Sequence, residues 1–209
     1  MNFNQHSELE GKHSFLSPSQ SAWVNYDLDK LRDRYFATMY ATATGTAVHS
    51  TAEQLIKSKI RLNKTDKHLL LMKLDEANIP RQAYDFNYIF NNLIQYVNDA
   101  IGYRMTPEQP LKYSMNCFGT ADAICFDGKL LRIHDLKTGA IPAHMRQLHL
   151  YAALFCLEYK INPKDIEFET RIYQSSDIIV DNPTIEIIFP YMEQIKEFDK
   201  YLTKLKEER

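Results

Sequence analysis

Two apolar runs, residues 121–126 and 130–137, flank Asp127-Gly128, and both carry charge where a buried strand should carry none. Asp-Gly between apolar runs is a strong two-residue turn signal, so the segment reads as a β-hairpin. Asp122 lies within the first run, and Asp135 and Lys137 end the second. Two residues apart on a strand, Asp135 and Lys137 project to the same face. Charge in a buried strand is costly unless it is paired or bound to metal. The hairpin is therefore expected to bring two carboxylates together beside one ammonium.

Around it, apolar spacing sets the remaining elements. Residues 1–14 read as a flexible polar arm, and residues 15–209 as a single domain. Ser17-Pro18-Ser19 suits a helix start, with Ser17 as cap and Pro18 in the first turn, running to about residue 31 with Trp23 on its apolar side. A second helix is expected from about Thr44, carrying Val48, Ala52, Leu55 and Ile56. Leu69, Leu70, Met72 and Leu74 suit a short third helix. The recurrence of Phe86, Ile89, Phe90, Leu93, Tyr96 and Val97 gives a fourth. Pro107 and Pro110 mark the passage into strands at about 108–116, 118–126 and 130–137. A helix after Pro142 holds Leu148, Ala152 and Phe155. Alternation at Ile166, Phe168, Thr170 and Ile172 gives a half-buried strand, residues 177–181 a short one, and the stretch from about Pro190 an amphipathic helix. This order predicts an α/β fold: a mixed central β-sheet flanked by helices, with helices added before the core and one after it.

The net formal charge of −2 offers no global basic field for non-specific nucleic-acid binding. A local basic surface around Lys112, Lys129, Arg132, Lys137 and Arg146 remains compatible with a phosphate backbone. No apolar run approaches membrane-spanning length, and the polar first residues lack the apolar stretch of a signal peptide. The three cysteines, Cys117, Cys125 and Cys156, form no CxxC pair, which fits a reducing cytoplasmic setting.

Two carboxylates and a lysine suit hydrolysis assisted by a divalent cation with hard oxygen ligands. Asp122 and Asp135 would supply carboxylate oxygens and Leu136 a main-chain carbonyl. Lys137 would orient or deprotonate the water and stabilise developing charge. Gly45-Thr46-Ala47-Val48-His49 adds an imidazole, with Glu53 four residues on and on the same helical face. A nitrogen donor shifts preference from Mg2+ toward Mn2+. Gln147 and Tyr151, also four apart, suit contact with a nucleic-acid strand or the attacking water.

In this order, Gly45 to His49, Gly119-Thr120-Ala121-Asp122, Asp135-Leu136-Lys137-Thr138-Gly139 and the Gln147/Tyr151 pair resemble the RecB-like branch of the PD-(D/E)XK nuclease superfamily. Leu16-Ser17-Pro18-Ser19 and Arg171-Ile172-Tyr173-Gln174 resemble a phage-encoded, stand-alone group within it. The resemblance spans about residues 17–174. It implies a restriction-endonuclease-like core (αβββαβ) and Mg2+- or Mn2+-dependent cleavage of DNA, as an exonuclease serving recombination or replication beside a protein of that pathway. By the same resemblance Asp122 and Asp135 are ligands, His49 is a further ligand, Lys137 is the catalytic lysine, and Gln147 and Tyr151 are auxiliary. Glu108 falls where relatives often carry a glutamate. Some members of the branch anchor an iron–sulfur cluster with four cysteines, three of them after the core. No cysteine follows Cys156, so no cluster is expected.

Blander readings compete. Asp135 and Lys137 alone would be a surface ion pair, and Glu53 a good helix former. Gln147 and Tyr151 alone would be helix surface and core. His134, His144 and His149 read as non-catalytic, Phe86, Tyr88, Phe90 and Tyr96 as core, and the C-terminal charges as a solvated helix face. A catalytically silent DNA-end or protein-binding module on the same fold is the main alternative. An enzyme using the two carboxylates on a metabolite is a third.

Overall fold

Five strands form one mixed sheet in chain order: β1 (Thr106–Ser114), β2 (Cys117–Phe126), β3 (Leu130–Leu136), β4 (Glu167–Gln174) and β5 (Asp177–Asp181). The computed structural model describes residues 15–16, 23–139, 142–174 and 177–208. The expected arm over residues 1–14 and the helix start at Ser17 lie outside these. At the β2–β3 turn, Asp127 Oδ1 accepts hydrogen bonds from the amides of Lys129 and Leu130, and Gly128 takes φ +94. A side chain would be strained there. β3 runs antiparallel to β2 and parallel to β4. Parallel neighbours require a crossover, and α4 (Arg146–Glu158) lies in the β3–β4 connection.

Helices cover both faces. On one side α1 (Leu28–Ser58), α2 (Lys67–Glu76) and α3 (Phe86–Gly102) enclose Val48, Leu70, Phe90, Leu93 and Val97 against Ala123, Leu136 and Tyr173. On the other, α4 and α5 (Ile185–Glu207) place Leu148, Ala152, Phe155 and Ile188 against Leu131, Ile133, Phe168 and Ile172. Strand alternation explains the division. Leu131 and Ile133 meet α4, so Asp135 and Lys137, next in the same series, emerge at that end of the sheet. Each fully buried aliphatic side chain contributes about 1.5–3 kcal/mol. No described helix is long and apolar enough to cross a membrane.

Three element boundaries differ from expectation. The two helices expected before residue 58 are one continuous α1 of 31 residues from Leu28, capped by Asp27 on the Lys30 amide; Trp23 precedes it in a 3-10 turn. The apolar period at Thr44 marks where the helix meets the core, not where it begins: buried positions start at Thr44, and Leu28, Tyr35, Phe36 and Met39 are exposed. The hydroxyls of Thr38, Thr42, Thr46 and Thr51 bond carbonyls four residues back, so they do not compete with the helix for its amides. α5 begins at Ile185 with Pro190 inside it, at the loss of one intrahelical bond. Pro107 and Pro110 lie within β1, whose edge position tolerates the missing amides.

Behind β3 and β4, on the α3 side, runs a polar layer. The Arg171 guanidinium reaches Glu169 (3.0 Å), Asp99 (3.3 Å) and the Tyr103 hydroxyl (3.0 Å). The Tyr173 hydroxyl donates to Asp99 (2.8 Å) and lies 3.1 Å from His134 Nδ1. Arg132 bonds Glu169 at 3.2 Å and stands over the Tyr103 ring. The neighbouring His134 ring and the Arg171 guanidinium hold the Glu169 carboxyl down to about 2, from an ordinary 4.5. A depressed carboxyl stabilises the fold above its unfolded value, and that contribution fades as pH falls through the folded one. Glu169→Gln is therefore expected to lower stability at pH 7, with the gap to wild type narrowing below about pH 4.5 and closing near pH 2. Denaturant titrations at pH 7 and pH 3 check this; an equal gap at both would remove Glu169 ionisation as the cause.

Candidate metal centre

The buried half of α1 carries His49 to the end of the sheet where β2 and β3 part. His49 Nδ1 lies 3.5 Å from Asp122 Oδ2 and 3.8 Å from Glu108 Oε1. One donor atom from each of the three lies within 4.8 Å of the others, close enough to share a cation. All three side chains are half-buried.

Backbone irregularity makes this approach possible. Along β1 and β2, Pro107 pairs with Ala123 and Gln109 with Ala121. Between them Glu108, opposite Asp122, takes φ +48. A non-glycine residue held there stores about 1–3 kcal/mol of strain, a feature that clusters at functional sites. The regular side alternation of β2 also breaks here. Ala121 packs with the α4 core and Ala123, two residues on, with the α1–α3 core. The β2–β3 ladder ends with the pair of Ala123 and His134. One step further Asp122 Oδ2 accepts a hydrogen bond from the Leu136 amide at 3.0 Å, which fixes its carboxylate.

Asp135 is buried beside this group. Lys137 Nζ donates to Oδ1 at 2.9 Å and stands at the same 2.9 Å from Oδ2, so one ammonium is paired with both carboxylate oxygens. Lys137 also donates to Gln147 Oε1 at 3.3 Å. Burial first, and then repulsion from Asp122, pushes the Asp135 carboxyl up to about 6 against the pull of Lys137. The same two causes raise Glu108, with His49 opposing. Buried Tyr96 is held well above the usual phenol range by desolvation and by Asp122, Glu108 and Asp135 together. Asp122 raises the proton affinity of both Glu108 and Asp135, and carboxylates so gathered form an environment suited to a divalent cation. The donor set of two carboxylates with one imidazole fits Mg2+ or Mn2+, and Asp135, expected as a ligand, lies outside this triad and is paired with Lys137.

The hairpin, α1 and α4 thus bring together His49, Asp122, Asp135, Lys137 and Gln147. Leu136 reaches the group through its amide, with its side chain in the core. Glu53 stands apart from the triad, paired with Lys57. Tyr151 lies over the backbone of Gly119: a Cβ added there would sit 3.0 Å from the Tyr151 ring, which would have to shift by a few tenths of an ångström. Arg132, one of the basic residues near the hairpin, is committed to Glu169. His149 is paired with Asp181 at 2.7 Å, His134 is fully buried in the polar layer, and His144 is exposed. Phe90 and Tyr96 are core, with Phe86 and Tyr88 packed against it at the margin.

Two contributions go beyond the expected roles. Glu108, expected as an auxiliary residue by resemblance alone, is a full member of the triad, placed there by its left-handed backbone. Gln174, buried, accepts from the Ala143 amide (2.9 Å) and donates to the Gly139 carbonyl (2.6 Å), tying together the two ends of the loop that follows Lys137.

Residues 13–206 match the model of a family described as a protein of unknown function (DUF2800). No curated protein matches the chain.

Loss of a group that only orients a metal ligand costs about 10- to 100-fold in affinity, and loss of a ligand should cost at least as much. Glu108→Gln is accordingly expected to weaken Mn2+ binding at least about tenfold by calorimetry. Unchanged affinity would remove Glu108 from the donor set.

Proposed function

The chain belongs to the DUF2800 family, and we propose that it is a metal-dependent deoxyribonuclease, acting as an exonuclease on DNA in recombination or replication. The observation that carries this reading is the convergence of His49, Glu108 and Asp122 beside the Asp135–Lys137 pair. The succession of helix, three strands, helix and strand supports a restriction-endonuclease-like core. The sequence resemblance to RecB-like PD-(D/E)XK nucleases supplies the choice of DNA.

His49, Glu108 and Asp122 would hold one divalent cation, with Asp135 completing the set if Lys137 yields one of its oxygens. When bound, it would polarise the scissile phosphate as a Lewis acid and make the attacking water more acidic. The protein's own groups do the remaining work. The Leu136 amide fixes the Asp122 carboxylate in place. Asp135 and Gln147 hold the Lys137 ammonium from two sides, so its charge is aimed rather than free to swing. Lys137 is about a third exposed, which leaves it open to a phosphate oxygen on which charge develops. Gln147 is a positioning residue for that ammonium. Tyr151, seated on Gly119, fixes how closely α4 approaches β2, and hence where Gln147 stands. A silent binding module would have no use for a strained glutamate beside a second carboxylate and an imidazole.

Removing one group that stabilises developing charge costs about 10²–10³ in turnover. Lys137→Ala should show that loss in single-turnover cleavage of end-labelled linear DNA, with Mn2+ affinity nearly intact. Cleavage at the wild-type rate would sink this mechanism. For His49→Ala, the lost donor is nitrogen, so Mn2+-supported activity should fall more than Mg2+-supported activity. Equal losses with the two ions would assign His49 a structural role.

A further inference from the structure

β1 and β2 run on past the rest of the sheet. From Ala121 back to Cys117, β2 pairs with β1 alone, because its ladder with β3 holds only Ala123 to Phe126. One side of this two-stranded ribbon is braced. Leu111 and Ala121 pack with the α4 core, and Gly119 lies under the Tyr151 ring. The Lys112 amide donates to Glu158 Oε2 of α4 at 2.8 Å, and Asn116 at the tip donates to Asp199 Oδ1 of α5 at 2.9 Å. Strand alternation turns the facing pairs Pro110 with Thr120 and Lys112 with Phe118 to the other side. All four are exposed, so among the described residues nothing covers that face.

Two properties of the face point to an occupant. It begins at the metal centre: Glu108 and Asp122 stand two residues from Pro110 and Thr120 in the same alternating series. Phe118 is four residues from Asp122, about 14 Å along the strand. Its composition also departs from the polar outer face that an antiparallel ribbon ordinarily shows to water. Phe118 is 65% exposed, with no ring partner among the described residues. The Lys112 ammonium opposite it takes part in no ion pair among them. A ring to stack on beside a cation for a backbone phosphate is what binding of a single strand requires.

We propose that the open face of the β1–β2 ribbon carries a single-stranded part of the DNA substrate, with one base stacked on Phe118 and a backbone phosphate on Lys112, while the scissile bond lies at the centre. That base is about four steps of a stacked strand from the bond, and fewer of a stretched one. A blunt duplex gains nothing from the platform, because its bases are already stacked on one another. The platform rests on the nuclease reading above, and deepens it.

The test titrates the full chain against fluorescein-labelled single strands and blunt duplexes by anisotropy in Ca2+. Phe118→Ala should weaken single-strand binding about 5- to 150-fold and leave duplex binding unchanged, and Phe118→Tyr, which keeps a ring, should restore it. Lys112→Gln should lower the slope of log affinity against log salt by about 0.7, the share of one phosphate on a single strand, while Phe118→Ala leaves the slope alone. Mn2+ affinity of both variants should match the wild type by calorimetry. Phe189→Ala, which removes an exposed ring from α5, is the control and should bind both DNAs as the wild type does. Undiminished single-strand binding by Phe118→Ala, or an unchanged slope for Lys112→Gln, would overturn the platform, as would a loss shared by Phe189→Ala. If the wild type still cleaves DNA in Mn2+, the nuclease reading survives that result. A wild type that binds no strand overturns both. The expected losses in a wild type without cleavage uphold the platform and remove the nuclease chemistry.

Discussion

The Asp122 carboxylate is held at a point where three elements meet, and its negative charge shapes everything around it. The Leu136 amide bonds it from β3, and the His49 ring faces it from α1. Its field is a cause of the raised proton affinity of Glu108, Asp135 and Tyr96. Gathering carboxylates in a partly dry place opposes folding, since burial of unpaired charge costs several kcal/mol. The fold tolerates it because both ends of the repulsion are pinned. Val48 and Ala52 lock α1 into one core, while Ile124, Leu131 and Ile133 lock the hairpin into the other. The elements cannot move apart to relieve the charge without opening packed apolar surface.

Rigid support continues beyond the carboxylates. β3 is paired along both edges, which fixes the height at which Asp135 and Lys137 leave the sheet. Behind it, hydrogen bonds link Asp99, Arg171, Tyr173 and Glu169 on the α3 side, so the site-bearing strand has a wired back as well as a packed front. Gln174 on β4 then ties the loop past Lys137 at Gly139 and Ala143. A site carried on strands and braced this way holds its geometry more closely than one on free loops.

What the sequence determined by itself is local. The Asp127-Gly128 turn, the alternation in β4 and the 3.6-residue spacing of α3 are written in near neighbours, and each element formed where its pattern lies. Asp135 and Lys137 share a face because a strand has period two, and His49 and Glu53 because a helix has period 3.6. The continuity of α1 was not legible, because apolar spacing reports where a helix is covered, not where it starts. Tertiary structure alone decided that Glu108 joins His49 and Asp122 while Glu53 turns to Lys57. That choice depends on a left-handed residue in β1, on the parting of β2 from β3 beyond the Ala123–His134 pair, and on α1 packing at that end of the sheet. No spacing along the chain encodes the triad, because it closes only when α1 packs against strands that lie more than fifty residues further on.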